Sequence, residues 1–146
     1  MTITLSTDTV AQKLQDALPD AVEETRDDGI VVSADRIVEV CRFLRDDDDL
    51  DMRMLRSLDV VDFIDRFELR YGLLSIRRNH ETTLKVRVWG RENLTVPSVA
   101  PVWEGANLQE REIYDLFGIE FIGHPNMKRI LLWEGFPGHP LRKDFA

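Results

Sequence analysis

Two stretches of strict alternation set the limits on this fold. Phe67, Leu69, Tyr71 and Leu73 alternate with Arg66, Glu68, Arg70 and Gly72, and Leu84, Val86 and Val88 alternate with Thr83, Lys85 and Arg87. Successive side chains of a strand point to opposite faces. A period of two with one apolar and one polar set therefore describes a half-buried antiparallel sheet. Residues 53–89 predict three such strands, with Asn79-His80-Glu81 at the tip that joins the last two.

The segment before them supplies a layer to cover the apolar face. Val10, Leu14, Ala17 and Leu18 fall on one side at helical spacing, and Pro19 ends that helix. Asp28-Gly29 marks a turn between two short strand-like runs. Ser33 is placed to cap a second helix, on which Ile37, Val40, Cys41 and Leu44 share a face. That helix runs into Asp46-Asp47-Asp48-Asp49, which lacks the alternating ligands and central glycine of a calcium loop and reads as a solvated loop held open by repulsion.

A chain of 146 residues, 43% hydrophobic, makes one domain with a core that needs no disulfide or structural metal. Cys41 is the only cysteine, which excludes an internal disulfide, a multi-cysteine zinc site and an iron–sulfur cluster ligated by this chain alone. The start has no basic region leading into an apolar run, and no apolar run approaches the roughly 20 residues of a membrane span. A chain that is cytoplasmic, or attached to a membrane only through partners and with no direct membrane insertion, is expected. The net charge of −8 argues against nucleic-acid binding. It is uneven: residues 1–51 carry −9 and residues 52–146 carry +1, so the later part is better suited to meet partners.

From Val96 on, prolines and glycines gather around one helix, about Leu108 to Phe117, with Gly118 as its end signal. Asn107 and Glu110 form a capping-box-like start, and Arg111 and Asp115 have the spacing of a pair. Glu110 and Glu112 are two apart and diverge, so they do not make an acid–base pair on one atom. His124 and His139 each stand between Gly and Pro, with no local metal-ligand partner, and suit turn capping or donation to a carbonyl. Beyond the helix lie large apolar groups (Phe121, Ile122, Ile130, Leu131, Leu132, Trp133, Phe136, Leu141, Phe145) interleaved with Lys128, Arg129, Arg142 and Lys143. An extended arm cannot bury these within itself, so it lies on its own domain or on a partner.

The expected fold is α+β: two N-terminal helices packed on a small antiparallel sheet, then a short helix and an extended C-terminal arm. Residues 1–118 form the compact part and 119–146 the docking arm. Several residues also carry a resemblance. Glu110-Arg111-Glu112, Asp115-Leu116-Phe117, His124 and Lys128-Arg129-Ile130-Leu131, at their spacing, resemble the signature of the 30-kDa subunit of the proton-translocating NADH:quinone oxidoreductase, respiratory complex I. The closing GHPLRKDF is similar to a second hallmark of that family, DRFELRYGLLSIRRN and LKVRVWG resemble its central strands, and VPSVAPVWEGAN the lead into its helix. Asn126 stands where the family often has Asp.

The resemblance implies a non-catalytic subunit of the peripheral arm, working beside subunits D, B and I at the cluster-to-quinone end of the electron path. It implies no cofactor on this chain, with NADH, FMN, iron–sulfur clusters and quinone bound by other subunits, and a peripheral place on the cytoplasmic face of the cell membrane. Glu110, Arg111, Glu112, Asp115, His124, Lys128, Arg129, His139, Arg142 and Lys143 are then the expected partner interface. The matching subunit of a membrane-bound nickel–iron hydrogenase is the alternative; the spellings DRFELRYGLLS and EREIYDLFGI favour the quinone reductase. A stand-alone enzyme built on Glu112, His124 and His139 is the least favoured.

Overall fold

The computed structural model describes residues 2–132 and 137–143; Trp133, Phe136 and Phe145 of the expected arm lie outside the described residues. In chain order the elements are β1 (Ile3–Thr4), α1 (Thr7–Ala17), β2 (Val22–Arg26), β3 (Gly29–Val32), a 3-10 turn (Ala34–Arg36), α2 (Ile37–Asp46), β4 (Met54–Asp62), β5 (Arg66–Ser75), β6 (His80–Trp89), β7 (Thr95–Pro97), α3 (Ala106–Phe117) and β8 (Glu120–Ile122). None of the described helices is long and apolar enough to cross a membrane.

The three strands expected between residues 53 and 89 are β4, β5 and β6, an antiparallel meander in which Tyr71 pairs with Leu58 on one side and Leu84 on the other. The sheet is larger and more mixed than its alternation suggests. Its order is β2-β3-β6-β5-β4, with β1 also on β6, and both β3 and β1 run parallel to β6. The chain leaves β3 through α2 and returns only after β4 and β5, the long crossover that parallel neighbours require. β3 lies between two strands, and all four of its residues are buried, which is why GIVV is continuously apolar rather than alternating.

Phe67, Leu69, Tyr71 and Leu73 lie with Leu84, Val86 and Val88 on the covered face, packed with Val10 and Leu14 of α1, Ile37, Val40, Cys41 and Leu44 of α2, and Ile113 of α3. The opposite face is polar but not bare. Arg70 reaches Glu68 at 2.8 Å, Lys85 reaches Asp28 at 2.7 Å, and Arg87 reaches Glu24 at 2.9 Å. Long charged side chains laid across one another bury their own stems, so Glu68 and Lys85 are nearly as hidden as core residues.

Two local expectations need correction. The aspartate run is not held open by repulsion: Asp47 and Asp49 meet Lys13, Asp48 meets Arg77 and Arg78, and Asp51 meets Arg53 and Arg77. Cations from α1 and from the β5–β6 turn supply partners that are distant in sequence. Ser33 precedes the 3-10 turn that leads into α2, and its side chain makes no capping bond. Among the described residues no group of His, Cys, Asp and Glu is placed to hold a metal ion.

Candidate functional site

The signature residues gather around α3. Its N-cap is Gly105, with no side-chain cap, so Asn107 and Glu110 do not form the expected box. Glu110 instead turns inward and is fully buried. Its Oε1 accepts the Ser98 hydroxyl at 2.6 Å and its Oε2 accepts the Val99 backbone N–H at 2.9 Å, which ties α3 to the turn after β7. Burial pushes the Glu110 carboxyl up to about 7 against the lowering effect of those two donors. Cys41 and the hydroxyl of Tyr71 share this interior, and burial, with Glu110 beside them, raises both. The expected core role of Cys41 is what the fold contains.

One and a half turns later Asp115 is equally buried, in a different setting. Its Oδ2 accepts the backbone N–H groups of Ile130, Leu131 and Leu132 at 3.2, 2.8 and 2.9 Å, and its Oδ1 accepts Arg129 at 3.2 Å. Burial alone would raise this carboxyl; the three N–H groups and the guanidinium together hold it below its ordinary value. The expected Arg111–Asp115 pair gives way to this arrangement. Arg111 donates to the carbonyls of Lys128 and Arg129 at 2.9 and 3.2 Å, so one helix face grips both polarities of the same short segment.

The second hallmark caps the helix. A helix ends with four carbonyls that lack intrahelical donors. In α3, Tyr114 C=O takes the N–H of Gly118 at 2.9 Å, Asp115 C=O takes His139 Nδ1–H at 3.0 Å, Leu116 C=O takes the N–H of Leu141 at 3.0 Å, and Phe117 C=O takes Arg142 Nε–H at 2.5 Å. Gly118 is required twice. Its φ of +78° is left-handed, and a Cβ there would stand 2.6 Å from the His139 ring.

Arg142 also donates to Arg91 C=O at 2.8 Å and lies over the Phe67 ring. Arg91 forks onto Asp62 at 2.6 and 3.0 Å, and Asp62 Oδ2 accepts the N–H of Lys143 at 2.9 Å. These bonds, with Arg129 donating to Gly138 C=O at 2.9 Å, hold the arm along α3 and the end of the β4–β5 hairpin. The arm begins later than residue 119: Ile119 and Phe121 are in the core, and β8 pairs with β7. His124 donates Nε2–H to Asn107 C=O at 3.0 Å and accepts the N–H of Asn126 on Nδ1 at 2.9 Å, which fixes the orientation of the ring.

Of the ten residues expected at a partner interface, Glu112, Lys128 and Lys143 are exposed, while Glu110 and Asp115 are buried. Arg111, His124, Arg129, His139 and Arg142 are half-buried and bonded within the chain. Asp62, Arg91 and Ser98 complete the set and escaped sequence reasoning, because each lies in an ordinary polar spelling far along the chain from its partner. The assembly positions backbone; its buried carboxylates, Glu110 and Asp115, and its two imidazoles are engaged in holding the chain on itself.

A family model described as the respiratory-chain NADH dehydrogenase 30-kDa subunit matches residues 30–146. The C subunit of NADH-quinone oxidoreductase from Roseiflexus castenholzii is 49% identical over 147 residues, covering 96% of this chain and 84% of that one. The mitochondrial NADH-ubiquinone oxidoreductase 30.4 kDa subunit of Neurospora crassa is 42% identical over 119 residues, 80% of this chain and 41% of that one. Among solved structures, the trypsin-resistant fragment of Nqo5 aligns with a TM-score of 0.60 at 26% identity, over 82% of this chain and 97% of that one. A chain of the archaeal membrane-bound sulfane sulfur reductase shares the fold, with a TM-score of 0.78 at 22% identity over 95% of this chain and 85% of that one. The chain belongs to the 30-kDa subunit family of the respiratory-chain NADH dehydrogenase.

Proposed function

We propose that this chain is the structural 30-kDa subunit of an NADH:quinone oxidoreductase, with no redox cofactor of its own. In this reading it holds the cluster- and quinone-site subunits, D, B and I, in register at the cytoplasmic face of the membrane. The family places it in a multi-subunit oxidoreductase. The observation that carries the finer reading is how the arm is used. Its polar signature groups are consumed in fixing its course, while Leu108, Ile122, Ile130, Leu131 and Leu141 are left exposed beside Glu112, Lys128 and Lys143. A fixed ribbon with apolar anchors and a charged rim has the composition of an interface core and its border.

The test is mild-detergent affinity purification of the tagged chain from native membranes. Co-purification of iron–sulfur subunits and the large membrane subunits is the expected result, and Arg142→Glu, which removes the Phe117 cap, should reduce that recovery while the isolated chain stays folded. Nickel-ligating partners would move the chain to the hydrogenases, and recovery of the chain alone would overturn the reading.

A further inference from the structure

Tyr71 brings a polar atom into the core that the packing of the sheet does not require. The residue is fully buried at the middle of β5, between Leu58 and Leu84, and its hydroxyl is out of solvent with no hydrogen-bond partner. Its companions on the covered face of β5, Phe67, Leu69 and Leu73, are pure hydrocarbon. A phenyl ring would fill the same place. The hydroxyl instead carries its full desolvation cost with no bond to offset it, and a buried group of that kind calls for a reason.

Glu110 supplies one. A carboxylate offers about four lone-pair sites to donors. Glu110 has two donors, the Ser98 hydroxyl at 2.6 Å and the Val99 N–H at 2.9 Å, and Ser98 Oγ is itself occupied as the acceptor of the Ala100 N–H at 3.1 Å. Asp115, equally buried on the same helix, has four. Glu110 is therefore provided for as a neutral acid and short of donors as an anion. No charged side chain makes up the difference. The titratable groups that face it are the Cys41 thiol from α2 and the Tyr71 hydroxyl from β5. Of the other elements packed on α3, β4 turns Leu55 and Leu58 inward, with Asp62 at its far end bound by Arg91, and β8 turns Phe121 inward and Glu120 outward. Burial first, then the neighbouring Cys41 and Glu110, keep the Tyr71 hydroxyl protonated, so its hydrogen is there to donate.

We propose that Tyr71 and Glu110 form a proton-operated latch: on losing its proton the Glu110 carboxylate takes the Tyr71 hydroxyl as a third donor, and on regaining the proton it lets the hydroxyl go. In the charged state α3 is bound to β5 as well as to the turn after β7; in the neutral state it is bound to the turn alone. Burial already pushes the Glu110 carboxyl up to about 7, so the exchange falls near neutral pH. The helix it acts on is the one that grips residues 128–132 and is capped by residues 139–142. The latch lies inside one chain and stands or falls independently of the subunit reading.

Carbon NMR of the full-length chain, labelled at the glutamate carboxyls and at the tyrosine ring carbon that bears the hydroxyl, tests it between about pH 5 and about pH 9. Glu110→Gln and Tyr71→Phe assign the two signals. In the wild-type chain both should titrate with one midpoint, and the Tyr71 step should be missing from Glu110→Gln. In Tyr71→Phe the Glu110 midpoint should rise by about one pH unit, a proton held about tenfold more tightly, because a donor to the charged form is gone. A hydroxyl that only fills space would change the melting temperature of Tyr71→Phe and leave that midpoint where it was, which overturns the latch. So does a Tyr71 signal that stays flat while Glu110 titrates, or a Glu110 signal that does not titrate in this range. A midpoint that rises in Cys41→Ala and not in Tyr71→Phe would make the thiol the donor and overturn the proposal as well. Should Tyr71→Phe fail to fold, the comparison of wild type with Glu110→Gln decides alone.

Discussion

Glu110 and Asp115 stand five residues apart on one helix, both fully out of solvent, and their carboxyls are driven in opposite directions. Burial is common to both and raises each. The difference lies in the donors. Glu110 meets two neutral donors inside the core, and burial prevails. Asp115 meets three backbone N–H groups and a guanidinium at the edge, and the donors prevail. Burial therefore does not decide the charge of a hidden carboxylate; the count and charge of its donors do. The same helix consequently has a half that belongs to the domain core and a half that works as a clamp on another segment.

The largest expected effect breaks the clamp. Asp115→Ala leaves Arg129 and three N–H groups without their common acceptor, an interaction loss on the order of 3–5 kcal/mol. Because the arm can swing into water, the loss should appear chiefly as release of residues 128–132 and 138–143. Limited proteolysis and amide exchange should find the arm open while β4–β6 stay protected; unfolding of the whole domain would instead mean that arm and core are one cooperative unit. The depressed carboxyl also gives a pH signature. Its contribution is present above about 3.9, the unfolded value, and fades as the pH falls through its lower folded value, so the arm should loosen in acid.

Glu110 carries the opposite sign. A carboxyl raised to about 7 when folded favours the native state at low pH, and that advantage is lost as the pH rises from about 4.5 to about 7. Across that window the wild-type protein should lose about 3 kcal/mol from this group. Glu110→Gln keeps the shape and cannot ionise. It should flatten the pH profile of urea unfolding and be the more stable protein at pH 8. A profile that is unchanged by the substitution would mean that Glu110 stays neutral, or stays charged, throughout.

The features legible in the sequence were those whose signal is local. The alternation of Phe67 to Leu73 and of Leu84 to Val88 identified β5 and β6, and Gly118 marked the end of α3 because a left-handed cap has one favoured residue. The parallel seat of β3 on β6 was not legible, since a short apolar run does not name its partner. The site failed for the same reason in sharper form. Spacing made Arg111 the natural mate of Asp115, but spacing does not weigh four donors that arrive from residues 129–132. Glu110 looked like a helix-start acid until its neighbours Ser98 and Val99, brought in by the turn after β7, drew it into the core. The helix-capping work of residues 139–142 had a faint signal: two histidines, each between Gly and Pro, beside a helix whose last carbonyls needed donors.

Gly118→Ala tests that cap. The left-handed φ costs an alanine about 1 kcal/mol, and the new Cβ would displace the His139 ring it approaches to 2.6 Å. Asp115 C=O then loses its donor, a further loss of about 1 kcal/mol. His139→Ala removes the clash and the donor together. The two substitutions should therefore be strongly non-additive in a double-mutant cycle, and additivity would show that ring and glycine are independent.

The smallest effect is expected at Arg111, and it discriminates best between the two halves of α3. Arg111→Ala removes two donations to arm carbonyls that are close to solvent, and water replaces them at a net cost of about 1 kcal/mol. Asp115 still holds the adjacent N–H groups, so the segment should stay seated while its amides exchange about fivefold faster. Global melting should barely move, because neither carbonyl belongs to the core. A fall in melting temperature as large as that of Asp115→Ala would mean the guanidinium is the true clamp. Faster exchange confined to residues 128–132 would assign the grip to the buried carboxylate, with Arg111 keeping the segment's outer edge in line.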